Sequence, residues 1–173
     1  GGSSYAVFNA SGPGTGTAAP SSSALSDKKI PNRYTRPATA FLIRALPGAN
    51  GQTLDFKNQY RVAANSPGSP EYFGKGVAPE PADRYWLTLT TPSEVDFMSA
   101  VVYFDGGDDA YTADDSDALN LSDELYTLTA DHQLLIQGRK SFDNLDKVNL
   151  GYRAFETGTY IISIFDKEGV FAE

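Results

Sequence analysis

The chain has no cysteine, one histidine, one methionine and one tryptophan in 173 residues. Without cysteine there is no disulfide staple and no thiolate metal site, although this alone does not assign a compartment. No apolar run approaches the length of a membrane-spanning helix. The opening GGSSYAVFNAS also lacks the basic stretch and apolar run of a secretory leader. No segment carries a sustained helical period. There is no dense basic patch or nucleic-acid motif, so no nucleic-acid partner is expected. A G-x-S-x-G elbow is absent as well, and the lone His132, beside Asp131 at a predicted hairpin tip, has no nucleophile context. The chain therefore reads as non-catalytic.

What is present points to β structure. Hydrophobic residues make up 40% and aromatics 12% of the chain, with ten Tyr and ten Phe, which suit pleated, half-buried surfaces. Sixteen Gly and ten Pro interrupt the chain too often for long helices. The length suits one sandwich or barrel, or two small lobes. The net charge of −8 is unevenly spread. Residues 1–75 carry eight Lys/Arg against three Asp/Glu, whereas residues 76–173 carry six against nineteen, so the two parts attract each other.

Along the chain, residues 4–10 read as a short strand and residues 11–27, rich in Gly, Ser and Pro, as a loop. The apolar stretch ATAFLIRAL, residues 38–46, predicts a strand. Alternation at Leu54, Phe56, Tyr60 and Val62 predicts a hairpin partner after the turn PGANG. Residues 65–83 form a Pro-rich crossing. A hairpin is predicted over residues 84–105, where RYWLTLTT is answered by FMSAVVYFD, and a second joins ELYTLT to HQLLIQGR. Two last strands lie in KVNLGYRAFETGTYIISIFDKEGVF, on either side of a Glu-Thr-Gly turn. Residues 159–165 are apolar enough to be buried on both faces and so require neighbours.

Three groups of residues invite a functional reading. Six aspartates crowd residues 105–117, a solvated acidic loop or a site for a hard cation such as Ca²⁺. Asp108, Asp109, Asp115 and Asp117 are the first candidate ligands, although the spacing departs from an EF-hand. Trp86 and Tyr111 are candidates for stacking on a sugar, with core packing the competing role of Trp86. Residues Thr159, Tyr160, Ile161, Ile162, Ser163 and Ile164 form a candidate strand-pairing edge, to be met by earlier strands, by further residues or by another molecule.

The ordered series YAVFNASG, ATAFLIRAL, YRVAANS, DRYWLTLT, VVYFDGGDDAYTADDSDA and KVNLGYRAFETGTYIISIFDKEGVF resembles the C-terminal region of surface and secreted proteins exported by the type IX system of Bacteroidota. The Trp-Leu strand of that family corresponds to Trp86 and Leu87, its acidic loop to residues 105–117, and its Leu-Gly-Tyr and Gly-Thr-Tyr elements to residues 150–152 and 158–160. Ala40 and Leu42 depart from the Gly and Phe frequent in the family. The family's last strands, which carry the sorting signal, have no counterpart before Glu173. The resemblance implies an extracellular or cell-surface β-domain beside such a signal, with the outer-membrane secretion and attachment machinery as partner.

Together these readings predict an all-β protein of sandwich type, Ig-like or jelly-roll-like, with little or no helix. It would be arranged as an N-terminal lobe (1–64), the crossing (65–83) and a C-terminal lobe (84–173) cut before its last strands. The expected role is structural or adhesive. The alternatives are a fibre or sheath subunit completed by strand donation and a carbohydrate-binding module.

Overall fold

A computed structural model of the protein describes residues 5–21, 30–35, 40–45, 48–61 and 82–172. Among these residues the regular structure is β apart from two single 3-10 turns, Asn58–Tyr60 and Gly169–Phe171. The protein is all-β and sandwich-like. Most of the Pro-rich crossing lies outside the described residues.

The strongest alternation builds the centre. Strands β3 (Asp83–Thr90) and β4 (Asp96–Tyr103) pair antiparallel across all eight positions, as the sequence predicts. Their turn is closed by Thr91 N–H donating to the Val95 carbonyl at 2.9 Å. The second predicted hairpin is also present, as β6 (Glu124–Leu128) and β7 (Gln133–Arg139). Strand β7 runs parallel to β4, and the crossover between them carries the two-residue β5 (Ser116–Asp117) and β6.

Strand β7 is where the sheet divides. Leu134 is flanked by Asp117 and Thr127, and Ile136 by Ser116 and Ala100. One edge of β7 thus takes β5, while the other is shared end to end by β6 and then β4. Strand β6 bonds to β7 only at Thr127 and Leu128, whereas all five of its residues pair with β8 (Asn149–Arg153). This pair folds over one face of the sheet, so that Leu125 of β6 packs with Leu87 and Leu89 of β3, with Tyr85, Phe97 and Tyr160 around them.

The opposite face of β3 and β4 is covered by a two-stranded sheet of β1 (Val7–Asn9) and β2 (Thr15–Thr17). Ala18, Trp86, Met98, Ala100 and Ile136 form this second core, with Val7 and Ile30 against it. Strand β2 corrects the reading of residues 11–27 as loop throughout. Its three small residues are buried because the chain must pass close to the sheet. A Cβ on Gly16 would stand 2.7 Å from the Pro31 carbonyl oxygen, and the Gly16 carbonyl accepts the Trp86 indole N–H at 2.8 Å. Small size here signals close approach.

Two further expectations are corrected. The described part of the apolar stretch 38–46, residues 40–45, forms no strand and is exposed. Leu54, Phe56 and Tyr60 belong to exposed coil and a 3-10 turn, without the predicted hairpin, and Val62 lies outside the described residues. The last two strands do form, as β8 and β9 (Ile161–Glu168), but they do not pair with each other. Strand β8 bonds to β6 and β9 to β3, which places them at the two ends of the sheet order.

Candidate functional site

The most unusual surface of the molecule is the side on which β8 and β9 lie. Register determines which side chains face it. Ile162 stands opposite Leu89 and Ile164 opposite Leu87, so both project from the face of the sheet that carries the Leu87, Leu89 and Leu125 core. In the overlying layer, Tyr152 is opposite Leu125 and Leu150 is opposite Thr127, so both point toward the same space. The two rims approach closely enough for the Tyr152 and Tyr160 rings to lie 6.3 Å apart. A buried apolar floor therefore continues outward into an apolar rim that nothing covers among the described residues.

The exposures make this explicit. Ile162 is 47% exposed, Ile164 62% and Tyr152 57%, and Ile161 and Phe165 are also open on the other side of the strand. Expected burial of residues 159–165 on both faces is thus corrected: every residue of β9 before Glu168 is exposed. Strand β9 is also an edge. It pairs with β3 alone among the described residues, and its other row of backbone N–H and C=O groups faces outward. The first five residues of this edge, apolar apart from Ser163, are a template for another strand, a liability that soluble domains ordinarily blunt with charge, proline or a covering loop, and charge enters β9 only at Asp166, Lys167 and Glu168.

The rims are firmly held. Arg84 donates from Nε to Glu168 Oε2 at 2.6 Å, and Thr88 and Ser163 share a hydroxyl hydrogen bond of 2.9 Å. A bulge between Trp86 and Leu87 shifts the register between these anchors. On the other rim, Arg153 Nη1 donates to Glu124 at 2.9 Å and its Nη2 to the Asn120 side chain. The connection from β8 to β9 is tied down by Asp123, whose Oδ1 accepts the Phe155 N–H at 2.9 Å and the Tyr160 hydroxyl at 2.7 Å. At the far end, Phe171 packs edge-on against Tyr85 at 5.1 Å and Phe142 at 4.7 Å. The site is a preformed groove between two anchored edges.

Of the predicted edge residues, Ile161, Ile162, Ser163 and Ile164 lie on β9, whereas Thr159 and Tyr160 precede it. Sequence reasoning missed Phe165 and the β8 rim, Leu150 and Tyr152. The alternation of KVNLGYRA held the signal for that rim, since Leu150 and Tyr152 share one side of a strand.

The other candidates are placed elsewhere. Trp86 is 3% exposed and packed beneath β2, in the core role that competed with sugar stacking. Tyr111 stacks on His132, with ring centroids 3.7 Å apart and planes within 3°. Asp117 joins them, accepting the Tyr111 hydroxyl at 3.1 Å, lying 3.3 Å from His132 Nδ1 and pairing with Arg44. The four candidate metal ligands do not converge. Asp108 caps Ala110 N–H, Asp109 pairs with Lys140 and Arg139, Asp115 is buried and Asp117 is held as just described. No group of three or more acidic, His or Cys side chains suited to a metal ion occurs among the described residues.

Asp115 does have a chemical signature. Burial pushes its carboxyl up to about 6, against the opposing pull of the Thr112 and Gly138 N–H groups it accepts at 2.7 and 3.0 Å. A carboxyl raised in the folded state binds its proton more tightly there than in the unfolded chain. Its contribution is therefore fullest below the ordinary carboxylate pKa, falls as pH rises toward 6, and then levels off. Relative to Asp115→Asn, the native chain is expected to lose about 2 kcal/mol of unfolding free energy between pH 4 and pH 7. Urea unfolding of both proteins across that range measures it, and parallel pH profiles would contradict it.

Comparison with family models places residues 2–173 in one family, described as Domain of unknown function (DUF8693), and the chain belongs to it. No curated protein and no solved structure matches the chain.

Proposed function

We propose that this member of a family of unknown function is a non-catalytic structural and adhesive module of an exported cell-surface protein. Its groove between β8 and β9 receives a β-strand that completes the sandwich. One observation carries the reading: β9 presents Ile161, Ile162, Ile164 and Phe165 to solvent along a backbone edge that no second strand occupies among the described residues, and β8 faces the same opening with Leu150 and Tyr152. Strand addition answers both features, because main-chain hydrogen bonds occupy the edge while alternate side chains fill the apolar groove.

Placement outside the cell, beside a type IX sorting signal and in contact with the outer-membrane attachment machinery, rests on the ordered resemblance of its segments to that family. A cysteine-free domain suits such a place equally well, since its cohesion depends on burial, paired arginines and backbone pairing.

Labelling of intact cells with an antibody against the domain tests this together with Ile164→Lys. Ile164 is exposed, so the lysine is expected to change stability by no more than about 0.5 kcal/mol. The expected result is surface labelling of the native protein before lysis, and loss of its retention on the cell in the equally stable variant. Labelling only after lysis would remove the extracellular placement. Unchanged retention of Ile164→Lys would remove the groove from the reading.

A further inference from the structure

We infer that the strand received by the groove is residues 40–45 of a second copy of this chain, so that the protein assembles head to tail. The inference rests on the strand-completion reading and names its partner. The segment reads Ala-Phe-Leu-Ile-Arg-Ala and forms neither helix nor strand, with Phe41 50%, Leu42 78% and Ile43 60% exposed. Phe41, whose ring lies 6.1 Å from that of Phe56, keeps half its surface in water, and Leu42 and Ile43 keep more, so burying this segment in the uncovered groove removes apolar surface from water on both sides. Their chemistry matches. Phe41 and Ile43 fall on one side of an extended chain to fill the gap between Ile162, Ile164 and Tyr152, while Leu42 and Arg44 point away. Six extended residues span about 20 Å, enough to run beside the apolar part of β9.

The position of the segment determines that donation is to another molecule. Arg44 is paired with Asp117 on β5, which lies along β7. In the layer that runs β5, β7, β4, β3, β9, donor anchor and acceptor edge are at opposite ends, about 19 Å apart at the usual strand spacing. A molecule anchored in this way offers its donor on one edge and its acceptor on the other. The two surfaces differ, so the contact is heterologous and propagates head to tail, into a ring where the rotation closes and an open chain of subunits where it does not.

Light scattering coupled to size exclusion tests this with four samples: the native chain, the donor variant Phe41→Asp/Ile43→Asp, the acceptor variant Ile162→Lys/Ile164→Lys, and an equimolar mixture of the two variants. All four substituted positions are exposed, and a thermal melt of each variant checks that it is folded. The native chain is expected to give a concentration-dependent ladder of subunit multiples. Each variant alone should run as monomer, and the mixture should stop at the dimer, since one intact donor meets one intact acceptor. A native chain that stays monomeric up to the solubility limit overturns the inference, as does a ladder that persists in either variant.

Amide exchange separates failure of the partner from failure of the groove. A peptide of residues 40–45 should slow exchange on the outer edge of β9. If it does not, while an unrelated alternating apolar peptide does, the partner is wrong and strand completion stands. If no peptide protects β9, both readings fall.

Discussion

Arg84→Ala is expected to lower the unfolding free energy by about 3–4 kcal/mol, which in a chain of this size is a fall of roughly 10 °C in melting temperature. Arg84 is completely buried, which is rare for arginine and tolerable only when its donors are met. Its Nη1 donates to the Gly14 carbonyl at 3.0 Å, its Nε to Glu168 at 2.6 Å, and its guanidinium carbon lies 5.4 Å from the centre of the Trp86 ring. One side chain thus joins the segment leading into β2, strand β3 and strand β9. Alanine removes these links together and leaves a void between two layers.

The ion pair itself is the smaller part of that cost. Glu168 is 38% exposed and solvent screens its charge, so Glu168→Gln is expected to cost about 1 kcal/mol or less. Denaturant unfolding of both variants separates the contributions. Equal losses would mean that charge pairing dominates, and a loss below 1 kcal/mol for Arg84→Ala would remove the linking role altogether.

Leu125→Ala should cost about 3 kcal/mol, with an additional local effect. Leu125 is fully buried and is the side chain through which β6 meets Leu87 and Leu89. Its loss combines reduced apolar burial with a cavity between the two layers. Strand β8 depends on β6 for its pairing among the described residues, so its amides should exchange faster as well. Leu150→Ala is the comparison. It stands on the same face but at the open rim, and is expected to cost less than about 1 kcal/mol. If the two substitutions cost the same, the groove is filled in the isolated molecule and the rim is part of the core.

Local alternation carried much of the fold. Both central hairpins could be read from RYWLTLTT with FMSAVVYFD and from ELYTLT with HQLLIQGR, because a period of two with a short polar turn needs no distant information. The same reasoning failed where small or apolar residues have two meanings. Thr15, Gly16 and Thr17 resemble loop by composition, yet they are a buried strand whose size is set by the distance from Trp86 to Pro31. Residues 40–45 resemble a core strand, yet they are exposed coil, because propensity cannot say whether a partner strand is at hand.

The acidic stretch illustrates the same division at the level of charge. Six nearby aspartates suggest mutual repulsion, which a cation would relieve. In the fold, Asp109 and Asp117 meet Lys140, Arg139 and Arg44, and Asp115 is buried against backbone donors. The Arg44 to Asp117 pair joins the basic and acidic parts of the chain, a connection suggested by their opposite balance but without its address.

The all-β class, the absence of disulfides and the presence of a strand in the stretch 159–165, which the structure places at Ile161–Glu168, were determined by the sequence, since they depend on composition and on the spacing of neighbours in the chain. Only the tertiary structure decided that β8 and β9, adjacent in sequence, end at opposite limits of the sheet order and leave an apolar groove between them. Hydrogen-bonded pairing is a contest among all available edges. Which edge remains without a partner is therefore a property of the whole fold.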